Sequence, residues 1–199
     1  MADNAIGTYI GNFVIYYLNS SSSATMILTI AGGLASVVGF AIAGSIADKV
    51  GRKWTITTGL LLTALGYLIM IFTVRPNAVP AGATVAPFPV IMYVIWVVKG
   101  FGMALVHNCS FPMVVELCSA EKIGKFTGYY YTASMSAQTV TPILLGFFLT
   151  HLTLWGVLPV YAFVLTLLAF AVFLLLVKNI KTQKVENAKG LEAIGEAED

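Results

Sequence analysis

Two rows of polar side chains run through otherwise apolar stretches of the sequence. The rows consist of Asn4, Thr8, Asn12 and Tyr16, and of Tyr130, Ser134 and Gln138, with Thr141 three positions later. Residues four apart lie on one face of a helix. Amide and hydroxyl groups donate and accept hydrogen bonds, which is what a neutral polyol requires. We therefore expect two walls of a hydrated, hydroxyl-binding cavity. The alternative is hydrogen bonding that only joins neighbouring helices.

Lys99 is a cation inside the apolar run 88–117, about 16 Å from its outer end at 1.5 Å per residue. A lysine near the membrane midplane costs about 2.5–3.5 kcal/mol on insertion scales. Lys99 should therefore face a cavity or a carboxylate, either for substrate binding and coupling or as a structural ion pair. Asp3 is one candidate partner, although we estimate it several Å nearer the inner side. A carboxylate from a second unit is the other.

His107 is the second titratable group of this run. A lone histidine in a helix either makes a helix contact or relays protons. Asp3 and His107 are thus the candidates for proton coupling.

Composition sets the class of protein. Hydrophobic residues make up 58% of 199, charged residues 10%, and the mean hydropathy is +0.88. A soluble domain carries about 25% charged residues, so this composition indicates an all-α integral membrane protein. The basic residues are scattered, which excludes a nucleic-acid surface. No nucleophile–base pair, carboxylate pair or metal-ligand spacing occurs, so we expect neither an enzyme nor a cofactor.

Hydropathy predicts a six-helix transmembrane bundle over residues 1–177 and a charged cytoplasmic tail over 178–199. The predicted spans are about 2–18, 24–46, 54–74, 88–117, 126–149 and 154–177. The first is about three residues short of a 30 Å hydrocarbon core. We therefore expect the first helix to begin part-way through, as in a half-transporter, a split gene or a shortened product. Turns are expected around Ser20–Ser23, Glu121–Lys125 and His151–Thr153.

A short glycine-containing and charged sequence, Gly44–Lys53, separates the second and third spans. It reads Gly-Ser-Ile-Ala-Asp-Lys-Val-Gly-Arg-Lys. Gly51 suits a turn position with positive φ, and Gly44 allows another helix to approach closely. Lys49, Arg52 and Lys53 favour the cytoplasmic side.

The spacing of this loop resembles the signature loop of the major facilitator superfamily. The resemblance implies half of that fold and a gating role for Gly44, Asp48, Gly51 and Arg52, whose charges hold the inner side closed. Lys53 belongs to the same loop. Glu116 lies about 26 Å further along its helix than Lys99, at the cytoplasmic interface. In the family arrangement it would pair with Arg52.

A narrower resemblance covers about residues 3–150. The runs Asn4–Thr8, Pro112–Glu116, Ile123–Tyr131, Ser134–Gln138 and Thr141–Leu144 look like the second half of bacterial proton-coupled sugar symporters of the sucrose-transporter type. The resemblance implies proton-coupled transport of a sugar or glycoside by alternating access. The chain departs from the pattern by lacking the first six helices. The alternative is a non-transporting fragment or an accessory membrane subunit.

The partners implied are membrane lipid, a small polar substrate such as a sugar, and either a second six-helix half or a second copy of the chain. Lysines of loops two–three and four–five and of the tail place these segments in the cytoplasm of a multi-pass cell-membrane protein, with both termini inside. Substrate, coupling ion and direction of transport stay open.

The orientation can be tested by labelling. A cysteine replacing Ala81 should react with an impermeant maleimide added outside intact cells, whereas one replacing Lys49 should not, because lysine-rich loops stay in the cytoplasm. The reverse pattern would overturn the orientation.

Overall fold

The computed structural model describes residues 1–76, 78–116, 122–152 and 155–177, and the side chains of 150, 152 and 176 are excepted. The regular structure of these residues is helical. The elements are α1 (Ala2–Asn12), a π-helical turn (Phe13–Tyr17), α2 (Ser22–Val50), α3 (Arg52–Thr73), α4 (Ile91–Glu116), α5 (Ile123–Leu152) and α6 (Val157–Leu176). The predicted tail 178–199 and Glu121 lie outside the described residues. Helices satisfy their backbone groups internally, as a hydrocarbon environment demands.

Within the described residues, the five helices α2–α6 are long and apolar enough to cross a membrane. α1 and the π-helical turn have 11 and 5 residues, about 24 Å together at 1.5 Å per residue. The π-helical turn was not predicted from the sequence. The Leu18 N–H donates to the Phe13 carbonyl, five residues back, at 3.2 Å, so the end of this segment is wound more loosely than an α-helix.

The turn between α2 and α3 consists of Gly51 alone. The helices extend beyond the predicted limits of 46 and 54, since α2 ends at Val50 and α3 begins at Arg52. The helical hydrogen bonds of α2 continue to the Gly51 N–H, which donates to the Ala47 carbonyl at 2.8 Å. Gly51 has φ +94°, which confirms the expected positive φ. Glycine adopts this conformation without a steric penalty, so one residue reverses the chain.

Three other limits also differ from the predicted ones. α4 begins at Ile91 rather than 88, since its first hydrogen bonds are accepted by Pro89 and Val90. α5 covers Ile123–Leu152 rather than 126–149. The expected turn does not begin at His151, because α5 continues through this residue to Leu152. Thr153 lies outside the described residues. α6 covers Val157–Leu176 rather than 154–177.

α4 packs tightly against α2 and α3 because glycines remove the intervening side chains. A Cβ atom on Gly59 of α3 would lie 2.5 Å from the Gly102 carbonyl oxygen, and one on Gly102 would lie 2.8 Å from the Gly59 oxygen. On α2, a Cβ atom on Gly39 would lie 2.7 Å from the Cβ of Ala104. Such distances leave no room for a side chain, so these crossings depend on glycine.

Small residues recur every four positions along α2, at Ala31, Ala35, Gly39, Ala43 and Ala47, but they are not equally buried. Residues four apart are rotated by about 40° from one another around the helix axis. A long series at this spacing therefore moves gradually from one face of the helix to the next. Gly39, Ala43 and Ala47 are buried, whereas Ala31 and Ala35 are only half-buried. Ser36 completes the contact with α4 by donating to the Gly100 carbonyl at 3.0 Å.

At the end of the bundle opposite Gly51, a clasp joins two connecting segments. The Ala86 N–H donates to the Asn19 carbonyl at 2.7 Å. The buried Ser20 hydroxyl lies 3.1 Å from the Ala86 carbonyl oxygen. The segment between α3 and α4 is thereby fixed to the turn between α1 and α2.

Candidate functional site

An ion pair joins α1 to α4. The Lys99 Nζ contacts Asp3 Oδ1, and the side chains are 13% and 34% exposed. The same Nζ lies 5.3 Å from the ring centre of Trp96. The sequence left the partner of Lys99 open, and the structure brings Asp3 to it. A buried cation paired in this way avoids most of the cost of an isolated charge.

His107 lies on the other side of Asp3. Its Nε2 is 3.8 Å from Asp3 Oδ2, and its side chain is 54% exposed. Counting from Ile91, Lys99 and His107 lie about 12 and 24 Å along α4, a helix of about 39 Å. Lys99 is therefore nearer the start of α4 than the expected 16 Å. Asp3 contacts both residues, so it lies beside the middle of α4 and not near the inner end.

A cavity of about 450 Å³ opens beside Asp3 and collects polar groups from four helices, with Thr166 of α6 among them. Its lining includes Asp3, Asn4, His107, Ser134 and Gln138, all of which the sequence analysis singled out. Gln138 Nε2 donates to Ser134 Oγ at 3.2 Å. Ser134 and Gln138 form no other side-chain hydrogen bond within the described residues, so their remaining donors and acceptors can serve a bound molecule.

Thr8, Asn12 and Tyr130 were predicted to line the cavity but do not. The same holds for Tyr16, Thr141 and Lys99. Thr8 and Asn12 are exposed on α1, since a four-residue spacing turns them progressively away from the face of Asn4. Tyr130 lies about 12 Å along α5 from Gln138. Its ring packs against Phe111 and Tyr131, with ring centres 5.6 and 5.4 Å apart. The structure thus separates Thr8, Asn12 and Tyr130 from Asn4, Ser134 and Gln138.

A second cavity of about 230 Å³ lies on the other side of the ion pair. Lys99, Trp96, Thr29 and Ser36 contribute to its lining. Since Asp3 lines the first cavity and Lys99 the second, the pair lies between the two. Sequence reasoning missed Thr29, Ser36 and Trp96, because their side chains follow no polar row.

The first turn of α3 is held to the ends of two other helices. Arg52 Nε donates to both carboxylate oxygens of Glu116, at 2.8 and 2.9 Å, and Nη2 lies 2.6 Å from Oε1. Lys53 Nζ donates to the Leu174 carbonyl in the last turn of α6 at 3.4 Å. The first pair was expected from the family resemblance. The second was missed, although cations are generally favourable at helix C-termini.

Gly44 and Asp48 point away from the rest of the described chain. Both are exposed, and a Cβ atom on Gly44 would meet nothing within 4 Å. Among the described residues, Asp48 forms no ion pair within 4 Å. The close approach expected at Gly44 and the charge contact expected at Asp48 are therefore not made inside this part of the chain.

The Arg52–Glu116 pair can be tested by a double-mutant cycle on inner-side accessibility. Its side chains are 27% and 31% exposed, and such pairs contribute at most about 1 kcal/mol. Arg52→Gln and Glu116→Gln should each raise the maleimide labelling rate of an Ala137→Cys variant in inside-out vesicles, by at most about fivefold. The Arg52→Glu/Glu116→Arg exchange should restore part of the difference.

Lys49→Gln is the control, because Lys49 is an exposed cation two residues from the same turn. It should leave labelling unchanged. Additive effects of the two single substitutions would contradict a functional pairing.

Comparison with known proteins identifies the family. The family model of the Major Facilitator Superfamily matches residues 1–196. The chain is 29% identical over 155 residues to the multidrug resistance protein MdtH of Cronobacter sakazakii (strain ATCC BAA-894). That match covers 73% of this chain and 35% of MdtH, so the chain spans about a third of its relative's length. The family's members are membrane transporters. Because the family model matches nearly the whole chain and five helices are apolar enough to cross a membrane, this chain is a multi-pass helical bundle that belongs to the Major Facilitator Superfamily.

Proposed function

We propose that the chain forms one half of a secondary active transporter that moves a neutral polar substrate, a sugar or glycoside, together with protons. The observation that carries the proposal is the 450 Å³ cavity, in which hydrogen-bonding side chains meet a carboxylate paired with a lysine. Ligand sites of this kind have volumes of about 300–1,000 Å³. Transport proceeds by rocking two six-helix bundles around a site near the membrane midplane.

Asn4, Ser134 and Gln138 supply the binding groups. Their amides and hydroxyl both donate and accept, so they match the hydroxyl groups of a sugar without requiring charge on the ligand. Thr8, Asn12 and Tyr130 lie outside the cavity in this conformation. They extend the binding surface when a second bundle covers the exposed faces of α1 and α5.

Proton coupling resides in the contact between Asp3 and Lys99. A proton on Asp3 removes its charge and weakens its attraction for Lys99. Breaking a buried pair without such neutralisation costs about 3–5 kcal/mol, so separation of the two residues is linked to proton uptake. His107, 3.8 Å from Asp3 and open to the cavity, passes the proton to it.

The inner ends of the helices face the cytoplasm of a cell-membrane protein with both termini inside. The lysines and arginines at the α2–α3 and α4–α5 connections support this orientation. Arg52 and Glu116 then join α3 to α4 on the cytoplasmic side. Because such a pair stabilises only weakly, it biases the equilibrium between the outward-open and inward-open states.

The second candidate function is export of amphiphilic cations. Its support is the name of the relative, a multidrug resistance protein, and the mixed lining of the cavity. Leu60 and Met103 line it beside the Asp3 carboxylate. A flexible methionine next to a negative charge suits varied hydrophobic cations.

Ligand-induced thermal stabilisation distinguishes the two functions. Sucrose should raise the Tm of the purified chain in mild detergent, and Gln138→Leu should raise the Kd about fivefold or more, since a lost hydrogen bond costs about 1 kcal/mol. Thr139→Val, on the next residue of α5 and outside the cavity lining, is the matched control. Stabilisation by tetraphenylphosphonium instead of sucrose would favour export of cations, and the absence of both effects would contradict binding in this cavity.

A second six-helix half covers the open side of this bundle. α5 is the least apolar of the five long helices, and most of its residues are exposed. Polar faces in lipid must meet protein or water. Gly44 and Asp48 are also uncovered. The partner is therefore a further bundle of the same fold, and a second copy of this chain is the alternative.

Crosslinking tests this association. A Gly44→Cys variant lacking the native cysteines should form a disulfide or bis-maleimide adduct in membranes, because a second bundle approaches the exposed glycine closely. A band of twice the chain mass indicates a second copy, and another adduct mass indicates a separate half. An exposed control position, Phe72→Cys on α3, should not give the adduct. Absence of the adduct from the Gly44→Cys variant would count against a second bundle at this position.

A further inference from the structure

The second cavity has a cation in its wall and no negative charge. Among the described residues that line it, Lys99 is the only cation and none carries a carboxylate. The Asp3 carboxylate lines the first cavity instead. The second cavity measures about 230 Å³, whereas one water molecule occupies about 30 Å³ in the liquid. It can therefore hold a small ion together with water.

Two hydrogen-bond donors at this cavity have room for a further acceptor. The Lys99 ammonium carries three N–H groups, and within the described residues Asp3 is its only acidic partner. The Trp96 indole N–H makes no hydrogen bond within the same residues. A Cβ atom on Gly32, another lining residue, would lie 3.4 Å from the indole nitrogen. Lys99 Nζ lies 5.3 Å from the centre of the same ring, so both donors lie at the cavity wall.

The hydroxyl groups of the lining are already paired with main-chain carbonyls. Thr29 and Ser36 each donate to a carbonyl oxygen of their own helix at 2.9 Å. Lys99 and Trp96 are therefore the donors that an incoming molecule meets. An ammonium group beside a neutral N–H matches an acceptor that carries negative charge.

We propose that the second cavity is a binding site for a small monovalent anion, which neutralises Lys99 when Asp3 carries a proton. While Asp3 is charged, the ion pair is neutral as a whole, and an anion gains little from Lys99. A proton on Asp3 leaves the cation without a counter-ion, and a buried charge without one is costly. An anion on the Trp96 side of the ammonium restores neutrality.

The other ionisable groups near the pair cannot replace this anion. His107 of α4 is a base, and Tyr67 of α3 is a phenol buried in the core, which interacts electrostatically with Asp3. The lining residues of α2 include no ionisable group. Among the described residues, Asp3 of α1 is thus the only carboxylate at Lys99, and its neutralisation leaves the role of counter-ion to a ligand.

The anion has two possible sources that share one chemistry. It is either a free inorganic ion such as chloride or the carboxylate of the transported molecule. The inference goes beyond the proposed function because it assigns a ligand to the second cavity, and it takes from that function only the proton on Asp3. Sucrose binding depends on Gln138 and the first cavity, so the two proposals can fail separately.

Quenching of Trp96 fluorescence by iodide measures occupancy of the cavity. The chain has three tryptophans, Trp54, Trp96 and Trp155, so a Trp54→Phe/Trp155→Phe chain reports on Trp96 alone. Trp96 is 5% exposed, so random collisions with iodide contribute little, and quenching through a site saturates. Asp3→Asn imitates the protonated carboxylate. It should lower the Kd of iodide by about tenfold or more, since a charge in contact with Lys99 no longer opposes the anion.

The control is the Asp3→Asn/Lys99→Gln variant, which lacks both members of the pair and leaves no buried charge unpaired. It should show linear quenching only. Caesium, a cation that also quenches indole fluorescence, should give no saturable quenching in any variant. Chloride and gluconate are then added as competitors of iodide. Displacement by chloride alone indicates a free ion, whereas displacement by gluconate at a lower concentration than chloride indicates the carboxylate of a substrate.

The chain that retains Asp3 decides the matter if Asp3→Asn does not fold, because iodide at high concentration competes with Asp3 for Lys99. Its quenching should then contain a saturable part that is absent from the double variant. Linear quenching in every folded variant would overturn the proposal. Saturable quenching of equal strength in the chain without Lys99 would do the same.

Discussion

A positive charge inside the hydrocarbon layer is the constraint on which the remaining structure depends. An unpaired cation in the interior of α4 would be costly, so Lys99 needs a partner of opposite charge. α1 provides that partner through Asp3. The contact joins α1 to α4, and each of its two residues lines one of the two cavities. The helices pack around a charge pair whose separation without neutralisation would be costly.

Glycines determine how closely the helices approach this pair. Gly100 and Gly102 follow Lys99 along α4, and neither could carry a Cβ atom without contacting the backbone of α2 or α3. Gly66 of α3 approaches Lys99 itself. The missing side chains allow backbones to close around the lysine. Two close crossings, at Gly100 and Gly102, therefore fix the backbones next to Lys99.

Much of the fold could be predicted from the sequence, because apolar length and loop charge depend on local composition. The membrane class and the family are shown, and the positive φ of Gly51 is confirmed. The sequence suggested Asp3 as one possible partner of Lys99 but could not select it over a carboxylate of a second unit. The two residues are 96 positions apart and meet only through tertiary packing. The contact between Lys53 and Leu174 was missed for the same reason.

Rotation about the helix axis explains the errors within the candidate site. The sequence grouped Asn4 with Thr8 and Asn12 by a four-residue spacing, whereas the helix repeats every 3.6 residues. The cavity consequently takes Asn4 and leaves the other two exposed. The π-helical turn after Asn12 left no recognisable pattern in the sequence.

The two ends of the bundle are closed by interactions of different physical kinds. The end at Gly51 is held by the partly exposed Arg52–Glu116 pair, whereas the opposite end is held by the clasp between Ala86 and the Asn19–Ser20 turn. Dissolved ions screen exposed charges over a Debye length of about 8 Å at physiological ionic strength, but they leave neutral hydrogen bonds nearly unaffected. The ionic strength on one side of the membrane therefore acts on the cohesion of one end only, and the bundle has a salt-sensitive face and a salt-insensitive face.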